Sequence, residues 1–259
     1  MRFRDLFRED VWHGSPHKFK QFSLAHVGNG EGHARFGWGV YVGGKRDVAD
    51  FYSRSLARDF TYNGRRVDPE SHLHTAIYQW LYHEGDLDAV RAGWKQGAAI
   101  HKVIDRLDPE KIGVRSYIYH AEMPDDSEFL RWDAPFDAQS PLVKRAIEKL
   151  VVVPQAVQDA AASASGDGDV WAVWDRMAQN KTVRAPTGGT IYEILAHQVG
   201  GDRNASLALL SAGVHGIAYI ESGSRSRDWK TVAPEEYNYV IFDDRRLRIK
   251  SVGRPTARI

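Results

Sequence analysis

The chain has 259 residues and a formal net charge of +1, from 35 Lys and Arg against 34 Asp and Glu. This balance produces no overall field that favours nucleic acid or a membrane as partner. The absence of cysteine excludes disulfides, thiolate zinc sites and cysteine nucleophiles. No apolar run is long enough for a signal peptide or a membrane span, so we expect a soluble protein, cytoplasmic as made. Delivery into a target cell would leave no mark on such a sequence.

The first part of the chain combines short β-prone segments with one helix. The β-prone segments are VWHG at 11–14 and GVYVG at 39–43. A helix is predicted over 47–56 with Asp47 as its N-cap. Its predicted contact face consists of Val48, Phe51, Tyr52 and Ser55. From about 70 to 107 apolar residues recur at helical spacing, with a break at Gly85 and Asp86.

Helical segments dominate the middle of the chain, and strands return at its end. Ser140 followed by Pro141 opens a predicted helix over 140–151. The stretch ASASGDGD at 162–169 is predicted to be a flexible loop. The remaining predicted elements are helices at 170–180, 189–199 and 204–212, and strands at 116–123, 216–222 and 238–249. This order predicts a single α+β domain over 1–259 with helical insertions at about 63–112 and 138–212.

Seven of the 17 residues at 28–44 (GNGEGHARFGWGVYVGG) are glycine, which first suggests a phosphate-binding loop. A dinucleotide-binding loop needs a buried strand, the spacing G-x-G-x-x-G and then a helix. Here the spacing is wrong, and FGWGVYVGG, which follows, is not a helical sequence. A P-loop is also excluded, because no Gly-Lys pair is followed by Ser or Thr.

Metal and serine-hydrolase chemistry have no support in the pattern. His72 and His74 are two apart, and His13 and His17 lack carboxylates at ligand spacing, so structural roles are favoured and no metal is expected. The segment ESGSRS at 221–226 differs from the G-x-S-x-G elbow of serine hydrolases.

Three separated segments resemble the ADP-ribosyltransferase superfamily, on the branch of diphtheria toxin and the poly(ADP-ribose) polymerases. His13-Gly14-Ser15 is similar to its histidine motif. Gly37-Trp38-Gly39-Val40-Tyr41, followed eleven residues later by Tyr52, is similar to its tyrosine motif. Asn238 begins the final apolar segment, at the position where that branch has a triad glutamate.

The resemblance is closest to phage- and mobile-element-associated transferase domains and covers about 11–250, except parts of 63–112 and 152–185. It rests on five phrases in order: VWHGSPHKFKQF, GNGEG with FGWGVYV, IYHAEMPDDSEFLRWD, LLSAGVHGIAYIESGSR and YNYVIFDD. It implies the ADP-ribosyltransferase fold, with split antiparallel sheets around an NAD cleft. It also implies NAD as co-substrate and the activity of a toxin or effector.

The resemblance implies a role for each matching residue. Tyr41 and Tyr52 would stack on the two faces of nicotinamide, where their flat rings lose little rotamer entropy. The Gly14 backbone would pair with the carboxamide. His13 would hydrogen-bond the adenosine ribose, with help from Ser15. Gly37 and Gly39 would let the backbone pass close beneath the nicotinamide, and Gly28 to Gly32 would turn over the adenosine side. The alternative for His13 and the tyrosines is a core role.

The third triad position departs from the family pattern. Asn238 keeps a hydrogen-bond acceptor but lacks the charge that stabilises an oxocarbenium-like transition state, a loss of about 10²–10³-fold in rate. Glu236 precedes it by two residues, which on a strand is the same face, so it is the candidate compensating carboxylate. An exposed loop glutamate is the alternative. The preceding loop, in which Trp229 is expected to be exposed beside the cations Arg225, Arg227 and Lys230, is the expected target-facing segment.

Three functions stay open on the sequence. The leading hypothesis is a mono-ADP-ribosyltransferase that modifies a macromolecule. An NAD glycohydrolase and a non-catalytic module that binds NAD or ADP-ribose are the alternatives. The acceptor is undecided between protein and nucleic acid, because the basic C-terminal stretch keeps nucleic acid open as the minority option, and the oligomeric state is not indicated.

Overall fold

The computed structural model describes residues 8–27, 35–163, 169–220 and 229–255. Packing divides the chain into two compact units. The first is built mainly from Phe22–Gly44 and Met123–Leu247, and the second mainly from Asp10–Gln21 and Lys45–Glu122 together with residues that follow Leu247. Each unit contains both helices and strands, which confirms the predicted α+β class. The prediction of one domain with two helical insertions stays a prediction.

Strands and α-helices in these described ranges are numbered in chain order. The strands are β1 (Arg8–Ser15), β2 (Val40–Gly43), β3 (Phe60–Tyr62), β4 (Arg65–Arg66), β5 (Ile112–Val114), β6 (Tyr117–Pro124), β7 (Phe129–Arg131), β8 (Gly216–Ile220), β9 (Tyr237–Ile241) and β10 (Arg248–Gly253). The helices are α1 (Arg46–Ser55), α2 (His72–Tyr82), α3 (Leu87–Ala92), α4 (Ala99–Ile104), α5 (Pro141–Leu150), α6 (Gln155–Ser163), α7 (Val170–Gln179), α8 (Gly188–Val199) and α9 (Asp202–Ser211).

The first unit has a mixed sheet in the order β2-β9-β8-β7. Strands β7 and β8 are parallel and the other pairs are antiparallel, so the prediction of antiparallel sheets is wrong for the β7–β8 pair. All five residues of β8 and of β9 are buried, because side chains pack on both faces of these two strands. Helices α5 to α9 contribute, in this order, Ile147, Val157, Trp174, Leu195 and Leu209 to a core shared with Val240 of β9. These strands therefore hold their side chains in fixed positions.

The second unit joins two groups of strands with the first four helices. The strands β10, β6 and β1 are neighbours in that order, and β4-β3-β5 form a separate sheet. Helices α2, α3 and α4 pack around a core that includes Phe60, Ile77, Trp80 and Ile104. Gly85 has φ +92° after α2, and the Asp86 side chain accepts from two amides at the start of α3, so the predicted break at these two residues is confirmed.

Helices with clear start signals were predicted well. Helix α5 begins at Pro141, and the Ser140 side chain accepts a hydrogen bond from the Val143 amide, as the sequence predicts. Helices α7, α8 and α9 and strand β6 lie within two residues of their predicted bounds. Helix α6 was not predicted, although its alanine content favours a helix. Of the predicted flexible loop at 162–169, Ala162 and Ser163 belong to α6, so the loop prediction is wrong for them, and residues 164–168 lie outside the described residues.

Two sequence predictions are wrong in detail. The N-cap of α1 is Lys45, with Asp47 in the first turn, and the buried residues are Ala49, Asp50 and Ser53 instead of the predicted face. The predicted strand over 238–249 is two strands, β9 and β10. They are separate because the Asp243 carboxylate accepts from the Arg245 amide at 3.2 Å and forms a local turn.

No helix in the described part of the chain is long and apolar enough to cross a membrane.

Candidate functional site

Strand pairing in the first unit places Tyr41 and Asn238 on one face of the sheet. Tyr41 lies opposite Val240, and Gly43 lies opposite Asn238. Opposite residues of an antiparallel pair share a face, and so do residues two apart on one strand. Asn238 is therefore a diagonal neighbour of Tyr41, a relation in which Cα atoms are about 7–8 Å apart. Two of the three predicted triad residues are brought together in this way.

Asn238 has the properties of a ligand-binding amide. It is only 5 % exposed, yet no hydrogen bond of its carboxamide is found among the described residues. Its neighbour on β2 is Gly43, which has no side chain to cover it, and its neighbour on β8 is Tyr219. The carboxamide atoms are not among the fully buried polar atoms that lack a partner, so they reach solvent and can accept from, or donate to, a hydroxyl of a bound molecule.

Tyr41 is a half-buried aromatic residue whose hydroxyl is held by the backbone. Its Oη donates to the Gly37 carbonyl at 2.9 Å and accepts from the Phe36 amide at 3.1 Å. The ring meets Tyr219 edge to face at 6.2 Å between centroids, and Phe36 stacks on Tyr219 at 4.0 Å. These contacts fix the orientation of the Tyr41 ring, which is what a stacking platform requires.

The second unit holds the predicted histidine motif at the end of β1. His13 is half-buried, and its ring centroid lies 6.0 Å from that of Phe19 and 6.2 Å from that of Tyr119. Ser15 is buried, and its Oγ accepts from the His17 amide at 3.1 Å. Ser15 thus stabilises the turn after β1, and this local role was not predicted.

Gly14 is where β1 packs on α1. A Cβ atom at this position would lie 2.0 Å from the Ala49 carbonyl oxygen and 2.6 Å from the Ser53 nitrogen. Helix α1 also carries Tyr52, which is 50 % exposed and meets Phe51 edge to face at 5.5 Å. The alternative of a core tyrosine is therefore wrong for Tyr52. The close approach also explains why small residues form the buried face of α1.

The other predicted residues of the first unit surround β2 and β9. Gly39 is buried directly before β2. Glu236 ends a 3-10 turn, Pro234–Glu236, so the strand alternation used to place it on the face of Asn238 does not apply. Trp229 is half-buried instead of exposed, and its carbonyl accepts from the Tyr237 hydroxyl at 3.1 Å. Gly28 to Gly32, Arg225 and Arg227 lie outside the described residues.

Four basic residues of the C-terminal stretch are paired with nearby carboxylates. Within the first unit Arg245 binds Asp243 at 2.8 Å and Arg246 binds Glu128 at 2.9 Å. Within the second unit Glu122 and Asp10 serve the same purpose: Arg248 binds Glu122 at 2.6 Å, and Lys250 binds Asp10 at 3.0 Å. Hydrogen bonds from Arg248 and Lys250 hold the pKa values of Glu122 and Asp10, respectively, below their usual range. In the described part of this stretch, these four cations therefore have carboxylate partners, and Arg258 lies outside the described residues.

No group of three or more His, Cys, Asp or Glu side chains in the described residues is arranged to hold a metal ion. An open cavity of about 360 Å³ lies in the first unit between the start of α6 and the outer side of α8. None of the predicted site residues lines it, so the candidate site is defined by strand pairing and not by this cavity.

Sequence reasoning missed three aromatic residues of the first unit: Phe36, Tyr192 and Tyr219. Phe36 and Tyr219 support the Tyr41 ring, and the Tyr192 hydroxyl accepts from the Trp38 amide at 3.3 Å. Phe36 and Tyr219 fall inside the phrases that carry the resemblance, which was the available signal. Tyr192 occupies an ordinary apolar helical position. Its hydrogen bond to Trp38, which is 154 residues away in the sequence, therefore had no local signal.

Comparisons of the chain with protein-family models, with curated proteins and with solved structures found no match. Its function must therefore be argued from its own residues.

Proposed function

We propose that the protein is a mono-ADP-ribosyltransferase that uses NAD as co-substrate and has the ADP-ribosyltransferase fold. The observation that carries the proposal is the shared face of Tyr41 and Asn238 on β2 and β9, where Gly43 is the residue opposite Asn238. Tyr52 and the His13-Gly14 motif belong to the second unit, and their part in the proposal rests on the resemblance alone. These are the residue types that a bent NAD molecule requires.

In the proposed reaction the bond between the nicotinamide nitrogen and ribose C1′ breaks. Nicotinamide leaves as a neutral base with the bonding electron pair, and positive charge develops on the ribose. An acceptor nucleophile on a macromolecule then bonds to C1′ and loses its proton. Asn238 would hydrogen-bond the 2′-hydroxyl of that ribose, and its amide dipole would give weaker stabilisation of the cation than a carboxylate.

Tyr41 and Tyr52 would provide aromatic surface for the nicotinamide ring, and His13 would bind the adenosine ribose. The Gly14 amide and carbonyl are proposed to pair with the carboxamide, and Glu236 to meet the acceptor. Chain elongation is not proposed, because the triad glutamate that activates a ribose hydroxyl in polymerases is absent at Asn238. Protein and nucleic acid are both proposed as acceptor classes, and digestion of the labelled product distinguishes them.

A second candidate function is a module that binds NAD or ADP-ribose without turnover. The specific observation in its favour is the uncharged, nearly buried Asn238, which can hold a ribose hydroxyl but cannot balance a full positive charge. Hydrolysis of NAD, with water as the acceptor, requires the same site and differs only in its product.

The test is incubation of the purified protein with a cell lysate and NAD labelled in the adenosine half. A transferase yields free nicotinamide and label on macromolecules, and the labelled fraction is then digested with protease or nuclease to identify the acceptor. Nicotinamide with free ADP-ribose and no macromolecular label indicates a glycohydrolase. Saturable NAD binding without release of nicotinamide indicates a binding module. If the protein neither binds NAD nor releases nicotinamide, all three functions are contradicted.

We expect His13→Ala to weaken NAD binding about tenfold, because one ribose hydrogen bond is lost. Isothermal titration with NAD measures the effect. His17→Ala is the matched control: this exposed histidine is only four residues further along, and its known hydrogen bonds use backbone atoms alone. A ribose contact at His13 would be contradicted if both variants lost NAD affinity equally, or if neither lost any.

A further inference from the structure

The segment Phe36–Gly39, which leads into β2 and Tyr41, is fastened to the rest of the first unit by two tyrosine hydroxyls. Tyr41 Oη holds the Phe36 amide and the Gly37 carbonyl. Tyr192 Oη, from α8, accepts from the Trp38 amide at 3.3 Å. The segment is therefore held by one hydroxyl from β2, the strand that directly follows it, and by one from the distant helix α8.

The Tyr192 hydroxyl uses its full hydrogen-bonding capacity. Its one proton is donated to the Asp202 carbonyl at 2.8 Å, at the first residue of α9. Its two lone pairs then accept from the Trp38 amide and from the Ser206 hydroxyl, which is 2.9 Å away. Tyr192 is only 2 % exposed, so water does not readily replace any of these partners. The oxygen joins the segment before β2 to the start of α9.

The backbone of the segment is shaped to fit this oxygen. Gly37 has φ +108°, a conformation that residues with a side chain rarely adopt. A Cβ atom at Gly37 would lie 2.6 Å from Tyr192 Oη. Glycine thus permits both the turn and the approach of the backbone to the hydroxyl. On the other side Phe36 stacks on Tyr219, the neighbour of Asn238 on β8, so the segment covers the aromatic residues beside the candidate site.

We infer that Tyr192 is a positioning residue: its hydroxyl holds Phe36–Gly39 in the conformation that orients Tyr41 for stacking on nicotinamide. This inference rests on the proposed use of NAD. Tyr192 makes no contact with NAD in this arrangement and acts through the backbone of the segment. When the hydroxyl is removed, the oriented form becomes a smaller fraction of the molecules, and apparent affinity falls in proportion. Bound NAD selects the oriented form again, so turnover at saturation changes little.

The test variant is Tyr192→Phe, which removes one oxygen and keeps the ring in the core. We expect amide hydrogen exchange of residues 36–41, measured without ligand, to become about fivefold faster. The dissociation constant for NAD should rise by a similar factor, while kcat changes less than about twofold. Affinity for ADP-ribose, which lacks the nicotinamide that Tyr41 is proposed to stack on, should stay the same. A general loss of stability would weaken binding of both ligands.

Ser206→Ala is the matched control. It removes another hydrogen bond to the same oxygen, at an equally buried position, but leaves the bond to the Trp38 amide. We expect wild-type exchange at 36–41 and wild-type NAD affinity for it. Unchanged exchange in Tyr192→Phe, or equal weakening of NAD and ADP-ribose binding, overturns the inference. Hydrogen exchange is measured without NAD, so it tests the anchoring of the segment even if the wild-type protein binds no NAD. Failure of the wild-type protein to bind NAD would contradict the proposed function and not the anchoring.

Discussion

Gly14→Ala is expected to destabilise the protein by about 3 kcal/mol, at the upper end of the usual range for overpacking. A single methyl group at this position would lie 2.0 Å from the Ala49 carbonyl oxygen and 2.9 Å from Ser53 Cβ. Both obstacles belong to α1 itself, so no flexible side chain can move aside and the helix must shift from β1. Thermal unfolding followed by circular dichroism should show a midpoint lower by about 10 °C.

Gly253→Ala is the control for this prediction. Gly253 also belongs to a strand of the second unit, but a Cβ atom there has no heavy atom within 4 Å. We expect its unfolding midpoint to stay within about 2 °C of wild type. If the two variants unfold at the same temperature, Gly14 is not a point of close packing.

Asn238→Ala is expected to slow NAD cleavage about 10²-fold, because a preorganised hydrogen bond to the reacting ribose is lost. The rate of nicotinamide release at saturating NAD measures the effect. Stability should change little in comparison, since no hydrogen bond of the Asn238 carboxamide is found among the described residues. A folded variant with wild-type turnover would exclude Asn238 from the reaction.

The matched control is Asn180→Ala, at an exposed position at the end of α7. We expect wild-type turnover and wild-type NAD affinity for it. If the wild-type protein binds NAD without cleaving it, the same pair of variants tests the second candidate function, a binding module. In that case we expect Asn238→Ala to weaken NAD binding and Asn180→Ala to leave it unchanged.

Elements with local signals could be predicted from the sequence. Ser140 and Pro141 mark the start of α5, and Gly85 with Asp86 separates α2 from α3. The face of α1 could not be predicted, because its apolar period points to Val48 and Phe51, whereas the buried side chains include Ala49 and Ser53. The close approach of Gly14 to Ala49 and Ser53 accounts for this face, and that contact joins residues far apart in the sequence.

The candidate site, too, could be predicted from the sequence only in part. The motifs predicted Tyr41 and Asn238 as partners, and the strand register places them on one face. The sequence could not show that Glu236 ends a turn, since that depends on where β9 begins. Nor could it show that Tyr192 reaches Trp38, because a hydrogen bond between distant residues leaves no periodic pattern.

The environment of Tyr192 also determines how its segment responds to alkaline solution. Burial raises the pKa of this phenol to about 12. In the folded protein the hydroxyl therefore stays protonated and donates its hydrogen bond to the Asp202 carbonyl. In the unfolded chain the same group ionises near its ordinary value of about 10. The stability that it contributes is therefore complete below pH about 10 and is lost as the pH rises toward about 12. Around neutral pH the anchor does not titrate, and any change in NAD affinity there must come from other groups.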